Sequence, residues 1–247
     1  MQAARSALRQ IKTTLLAAVP GQWLGALDYY RGSPSWGSWS AILNGQARRV
    51  ELFEYIMREL RPVAIVETGT FGGTTAEFFA ATGLPIYTIE KNPRFYEFSR
   101  RKLRRYGNVT MLHRDSRVGL RTLLDGPLRN FRSEPVFFYL DAHWEEDLPL
   151  IEEVKIVLDS VARPIIMVDD FEVPGDPGYE FDDYGNSGVL TESYLKPALS
   201  GRDAVILYPS APSIEESGAR RGCCIICRSE DKRVLTESQL ARSHPSL

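Results

Sequence analysis

Five short apolar runs, separated by four amphipathic stretches, most constrain what this chain can fold into. "VAIVE" (63–67), "IYTIE" (86–90), "VTMLH" (109–113), "VFFYLD" (136–141) and "PIIMVD" (164–169) are rich in β-branched and aromatic residues. Such near-continuous apolar runs suit parallel strands covered on both faces. Between them lie "TTAEFFAAT", "PRFYEFSRRKLRRYG", "RVGLRTLLDG" and "LPLIEEVKIVLDSV", with apolar residues at helical spacing. Asn92–Pro93 is a helix start, with Asn as N-cap and Pro at the first helical position. Strand and helix in alternation predict an α/β fold with right-handed crossovers, a doubly wound, mostly parallel Rossmann-like sheet. "AVILYP" and "GCCIICR" bring the expected strand count to seven.

The chain has 247 residues, which suits one large domain or one domain with an appendage. The expected organisation is an N-terminal helix and aromatic cap (1–45), a main domain (46–235) and a tail (236–247). Within the main domain, residues 171–188 are long, acidic and rich in Gly and Pro, and read as a lid or substrate loop. In the N-terminal segment Ala4, Leu8, Ile11 and Leu15 fall at helical spacing beside Arg5, Arg9 and Lys12. A targeting or membrane-surface helix would look the same; a helix packed on the domain is the expectation. The stretch "WLGALDYYRGSPSWGSWS" reads as an aromatic loop or cap, or as a packed arm.

Charge excludes little but points away from polyanions. The formal net charge is −2, so neither nucleic acid nor an acidic membrane is called for. No apolar run approaches a bilayer span, so stable membrane insertion is not expected, and a cytoplasmic location is. A homo-oligomer stays open. Cys223, Cys224 and Cys227 cluster on one strand; the odd count argues against a disulfide framework, and they read as core cysteines.

The first strand runs into "TGTFGGTT". Gly69, Gly72 and Gly73 let the backbone turn sharply and approach a ligand closely. The spacing matches neither G-x-G-x-x-G nor a P-loop. Glu90 ends the second strand about 20 residues on, where an acid can accept hydrogen bonds from ribose hydroxyls. Together these marks indicate an adenosine-containing cofactor. "VETGTFGGTTAEFF" resembles motif I of class I S-adenosylmethionine-dependent methyltransferases, with Glu67 and Gly69 in the signature places, and "IYTIEKNPRF" is similar to the second-strand motif. The resemblance spans about residues 60–230 by pattern. It implies S-adenosylmethionine as cofactor, held by Glu67, Gly69, Thr70, Gly73, Thr74 and Glu90, with Asp115 and Ser116 of "HRDS" beside the adenine.

Asp141 ends the fourth strand; Asp169 and Asp170 end the fifth. Three carboxylates at neighbouring carboxyl ends repel one another unless a cation joins them, and a hard divalent ion takes oxygen ligands. The alternative is that Asp170 points away and caps a loop. The arrangement resembles the metal-dependent O-methyltransferases of the catechol and macrocin types, and "YLDAHW" is similar to the catechol-type Asp-His-Trp stretch with Ala142 added. The catechol-type base lysine is absent: Glu145 stands there. In the macrocin type an acidic base sits two residues after the metal Asp, and here that place is His143. The resemblance implies a divalent metal, Mg²⁺ by preference with Mn²⁺ or Ca²⁺ open, on Asp141, Asp169 and Asp170. The small-molecule acceptor then presents a hydroxyl, with His143 as base or as an outer hydrogen-bond partner. Trp36, Trp39, Trp144, Tyr179, Phe181 and Tyr184 are expected to wall the acceptor pocket or to anchor loops; His113 is expected to be structural. Two rivals remain: a metal-independent methyltransferase of the same fold, and a non-catalytic cofactor-binding protein.

Overall fold

A computed structural model of the chain describes residues 19–32, 41–143 and 147–244. The expectations for Ala4, Arg5, Leu8, Arg9, Ile11, Lys12, Leu15, Trp36, Trp39, Trp144 and Glu145 lie outside the described residues.

All seven expected strands form: β1 (Ile65–Thr68), β2 (Ile86–Glu90), β3 (Val109–His113), β4 (Pro135–Leu140), β5 (Arg163–Asp169), β6 (Val205–Pro209) and β7 (Cys223–Cys227). Their order in the sheet is β3-β2-β1-β4-β5-β7-β6, extended by a two-residue β8 (Ala241–Arg242). The first five are parallel, Ile65 pairing with both Ile86 and Phe137, and Phe137 with Ile165. β7 runs antiparallel to β5 and β6. This is the doubly wound, Rossmann-like sheet expected from the alternating pattern, with one strand more. The eighth comes from the segment read as a tail: Tyr208 pairs with Arg242 and Pro209 with Ala241, covering the edge of β6.

The helices are α1 (Gly21–Arg31), α2 (Ala47–Glu59), α3 (Thr74–Ala80), α4 (Pro93–Leu103), α5 (Ser116–Asp125), α6 (Leu150–Ser160), α7 (Glu192–Leu199) and α8 (Ser229–Glu237). Every residue of β4 is buried, because successive side chains serve two cores. Phe137 and Tyr139 pack with Phe53 of α2 and Phe79 of α3 on one face. Phe138 and Leu140 pack with Leu120 of α5 and Val154 of α6 on the other. Each fully buried ring contributes about 2 kcal/mol or more from water exclusion. The three cysteines are free and buried in β7, as expected of core residues.

Asn92 caps α4 as read from its sequence: its side chain accepts from the amides of Arg94 (2.9 Å) and Phe95 (3.4 Å), and Pro93 opens the helix. The aromatic segment departs from a loop reading over residues 21–31, which form α1. Gly25 makes this possible: a Cβ there would lie 2.1 Å from the carbonyl oxygen of Arg94, so only glycine lets α1 seat against α4. Asp28 then pairs with Arg94 at 2.6 Å. Residues 171–188 are tied into the domain, with Phe171, Val173 and Tyr179 buried and Asp183 bridged to Val189.

Candidate active site

Parallel pairing brings the carboxyl ends of β1 to β5 to one edge of the sheet, and two adjoining hollows open there. The larger, about 390 Å³, is lined by Gly69, Phe71, Glu90, Phe95, Asp115, Ser116, Arg117 and Asp141. The smaller, about 60 Å³, is lined by Asn44, Glu67, Gly69, Thr70, Thr74, Tyr139, Asp141 and Asp169. Gly69, Phe71 and Asp141 belong to both.

The loop after β1 is held over β2 by the amides of Gly69 (2.9 Å) and Thr70 (3.3 Å), which donate to the Ile89 carbonyl. Gly69 has φ +83°, and a Cβ would lie 2.1 Å from the carbonyl oxygen of Asp141, so the loop crosses the end of β4 in backbone contact. Phe71 takes the left-handed region without being glycine (φ +47°), and its amide donates to Glu90 Oε2 at 2.8 Å. The Asn92 amide donates to Glu90 Oε1 at 2.7 Å. Burial raises the Glu90 carboxyl, and these amides oppose it. Glu67 is buried and accepts from Thr88 Oγ1 at 2.5 Å; burial pushes its carboxyl up to about 8. Asp115 caps α5, accepting from the Arg117 amide at 3.0 Å, and the Arg117 guanidinium beside it lowers its carboxyl. Thr74 receives Lys102 Nζ at 3.0 Å. Gly73 (φ +67°) turns the chain into α3 and faces Ser99 and Leu103 rather than either hollow.

The acidic end is organised by two arginines that the sequence reading did not pick out. Asp169 is buried, and both its oxygens are engaged. Arg49 Nη1, Asn44 Nδ2 (3.2 Å) and the Asp170 amide (2.8 Å) donate to Oδ1; Asn44 Nδ2 (2.9 Å) and the Tyr139 hydroxyl donate to Oδ2. Burial opposes ionisation of Asp169, but the Arg49 charge and the Tyr139 hydroxyl outweigh it and hold the carboxyl low. Asp170, at φ +52°, stays at the crevice and accepts from Arg221 Nε at 2.6 Å. Burial and then the Asp169 charge push it to about 7, against Arg221. Arg221 also donates to Asp182, to which Tyr184 donates at 2.5 Å; Tyr184 donates as well to the His143 carbonyl.

Asp141, His143 and Asp170 each present a ligand atom, all within 4.8 Å of one another. His143 Nε2 lies 3.9 Å from Asp141 Oδ1. The imidazole is fully buried and neither ring nitrogen has a hydrogen-bond partner among the described residues. Burial lowers its pKa below the ordinary histidine range, so it is neutral at pH 7. Asp141 is pushed well up, by burial and then by Asp169, Asp170 and Glu67. Four aspartates here face two guanidinium groups, which leaves two negative charges uncompensated when all four ionise.

A sequence signal for Arg49 existed: it falls on the buried stripe of α2 with Leu52, Phe53 and Ile56, where a charge requires a partner. His113 stacks on Tyr96 at 4.6 Å, a structural place as expected. Tyr179 is a loop anchor, donating to the Ala211 carbonyl at 3.0 Å. Among the described residues no helix is long and apolar enough to cross a membrane.

The chain matches no protein-family model. No curated protein matches it. Solved structures similar to it include one described by the conversion of a disulfide bond into a thioacetal group during echinomycin biosynthesis. That one is 15% identical, covers 88% of this chain and 97% of its own, and has a TM-score of 0.49. A magnesium protoporphyrin IX methyltransferase from Synechocystis PCC 6803 with bound SAM is 14% identical over 74% of this chain and 78% of its own, TM-score 0.46. A precorrin-6y C5,15-methyltransferase from Geobacter metallireducens is 12% identical over 74% and 88%, TM-score 0.44. At these identities the chemistry has to be read from the residues of this chain.

Proposed function

We propose that this chain is an S-adenosylmethionine-dependent methyltransferase that acts on a hydroxyl of a small molecule with the help of a divalent cation. The observation that carries the reading is the buried His143, its two ring nitrogens without partners among the described residues, beside Asp141 and Asp170. An imidazole buried unpaired against carboxylates costs free energy, and a cation or an incoming hydroxyl at that point removes the cost. Once ionised, Asp141 and Asp170 carry the two negative charges that a divalent ion matches, and paired carboxylates are the oxygen donors that suit one, with the neutral imidazole left beside them for the hydroxyl.

The cofactor supplies an electrophilic methyl group, and the cation, when bound, favours the deprotonated form of a hydroxyl. Glu90 accepts the ribose hydroxyls at the end of β2 while its amide bonds fix the loop. Ser116 and Asp115 flank the adenine, and Glu67 with the Gly69 and Thr70 backbone meets the zwitterionic end. Asp141 and Asp170 hold the cation. His143, neutral at pH 7, takes the hydroxyl proton at a ring nitrogen. Asp169 supports the cluster by fixing Arg49, Asn44 and Tyr139; its entry into the ligand set would displace one of those donors. Tyr184 and Asp182 position His143 and Arg221, and the 171–188 loop that carries them bounds the acceptor space.

Titration calorimetry with S-adenosylmethionine, with and without Mg²⁺ or Mn²⁺, tests the reading. Cofactor binding that Glu90→Ala weakens, and metal binding that Asp141→Ala abolishes, are the expected results. No cofactor binding under either condition sinks it; turnover that survives complete chelation removes the cation and leaves the metal-independent reading. His143→Ala should keep metal binding and lose turnover; lost metal binding would make His143 a ligand instead of the base.

A further inference from the structure

We propose that the face formed by α1 and the basic end of α4 docks peripherally on a bilayer rich in anionic phospholipid. On α1, Trp23 is 66% exposed and Tyr30 69%, with Leu27 also exposed. Positions 23, 27 and 30 fall three or four apart, so the three side chains form one stripe, while Gly25 and Asp28 face α4. Scattered exposed apolar residues are ordinary; a contiguous stripe with two large aromatics marks an interaction surface. Trp and Tyr favour the membrane–water interface, with the ring buried and the polar tip wet.

The charge around the stripe names the partner. The chain as a whole carries −2, but residues 1–31 hold four basic residues and one acid, and residues 91–105 seven basic residues and one acid. The second of these stretches meets α1 in the fold: α1 runs beside α4, from Gly21 against Pro93 to Tyr30, whose hydroxyl receives Arg101 at 3.0 Å. Arg31, Arg100, Arg104 and Arg105 are exposed around them. A basic pole next to an apolar stripe is the pattern of an interfacial element, apolar face in the acyl boundary and cations among anionic headgroups. A second copy on the same stripe would set this basic pole against itself. Nucleic acid would use the cations and rings but not the aliphatic Leu27.

The test is co-sedimentation of the full chain with vesicles of phosphatidylcholine alone, or with about one-third phosphatidylserine, at low and high salt. Anionic vesicles should bind at least about tenfold better than neutral ones, and high salt should weaken the binding. The double variants Trp23→Ser/Leu27→Ser and Arg31→Glu/Arg104→Glu should each lose about tenfold of it. Both pairs are exposed, and an unchanged circular dichroism spectrum checks the fold. No binding to anionic vesicles, or binding that neither variant weakens, overturns the proposal. A lipid-free dimer that Trp23→Ser/Leu27→Ser splits would assign the stripe to a second copy and overturn it too. So would an RNA oligonucleotide bound by the charged face without vesicle binding.

Discussion

Arg49 of α2 and Asp169 at the end of β5, 120 residues apart in sequence, form a buried ion pair that closes the floor of the acidic cluster. Arg49 also donates to the Arg221 carbonyl, so one guanidinium ties α2 to both the fifth strand and the segment entering β7. Removing one partner of such a pair leaves the other charge buried and unpaired, at a cost of about 3–5 kcal/mol. Arg49→Met should therefore lower unfolding free energy by about that amount in urea titrations. A loss below about 1 kcal/mol would mean that water already solvates the pair.

Glu67 should make cofactor affinity depend on pH. Its carboxyl is protonated in the free protein up to about pH 8, and a cationic ammonium group favours the carboxylate. Binding then releases a proton below that value. Affinity should rise as pH climbs toward about 8 and level off above it, by calorimetry in buffers of different ionisation enthalpy. Glu67→Gln should flatten the profile; a wild-type profile already flat would show that Glu67 does not meet the cofactor's charge.

Glu153 of α6 gives a second pH dependence, in stability. It is fully buried with Ser116 and Thr68 alongside, yet neither oxygen has hydrogen-bond geometry to a partner among the described residues. Burial pushes it from 4.5 to about 7. Between those values the unfolded chain gives up the proton and the folded one keeps it. Stability is thus fully present below pH 4.5 and falls as pH rises to about 7, by about 3 kcal/mol in all. Glu153→Gln should remove that slope from melting temperatures taken across the range; an unchanged slope would place its origin elsewhere.

The strands were legible because each is a short apolar run between turn residues, and the α4 cap because Asn-Pro specifies its own geometry. Glu90, Asp115 and Asp141 were legible as carboxylates at strand ends. What escaped was the pairing of distant segments: Arg49 and Arg221 carry no local signature for the aspartates they bind. The converging acids thus find part of their compensating charge within the chain, on Arg49 and Arg221. The stretch from Trp23 onward reads equally as an aromatic loop or cap and as a packed arm, because Gly, Tyr and Trp are weak helix formers; α1 forms because Gly25 lets it rest on α4. Residues 241–242 look like a tail because two residues are too few to show an alternating pattern.

Gly69→Ala should be among the most damaging single changes. The backbone at φ +83° disfavours any side chain, and the new Cβ would overlap the Asp141 carbonyl. A drop of at least about 2 kcal/mol in unfolding free energy, with cofactor binding lost, is expected. Retention of both would require the loop to lift off β4, which a crystal structure of the variant would reveal.

That same crossing of Gly69 over Asp141 makes one residue a party wall between the two hollows. Whatever settles against the glycine loop presses on the strand end that carries Asp141, and the reverse holds equally. Thermodynamic reciprocity then applies: if either guest tightens the other, both gain by the same factor, and the order in which they arrive is a matter of kinetics alone.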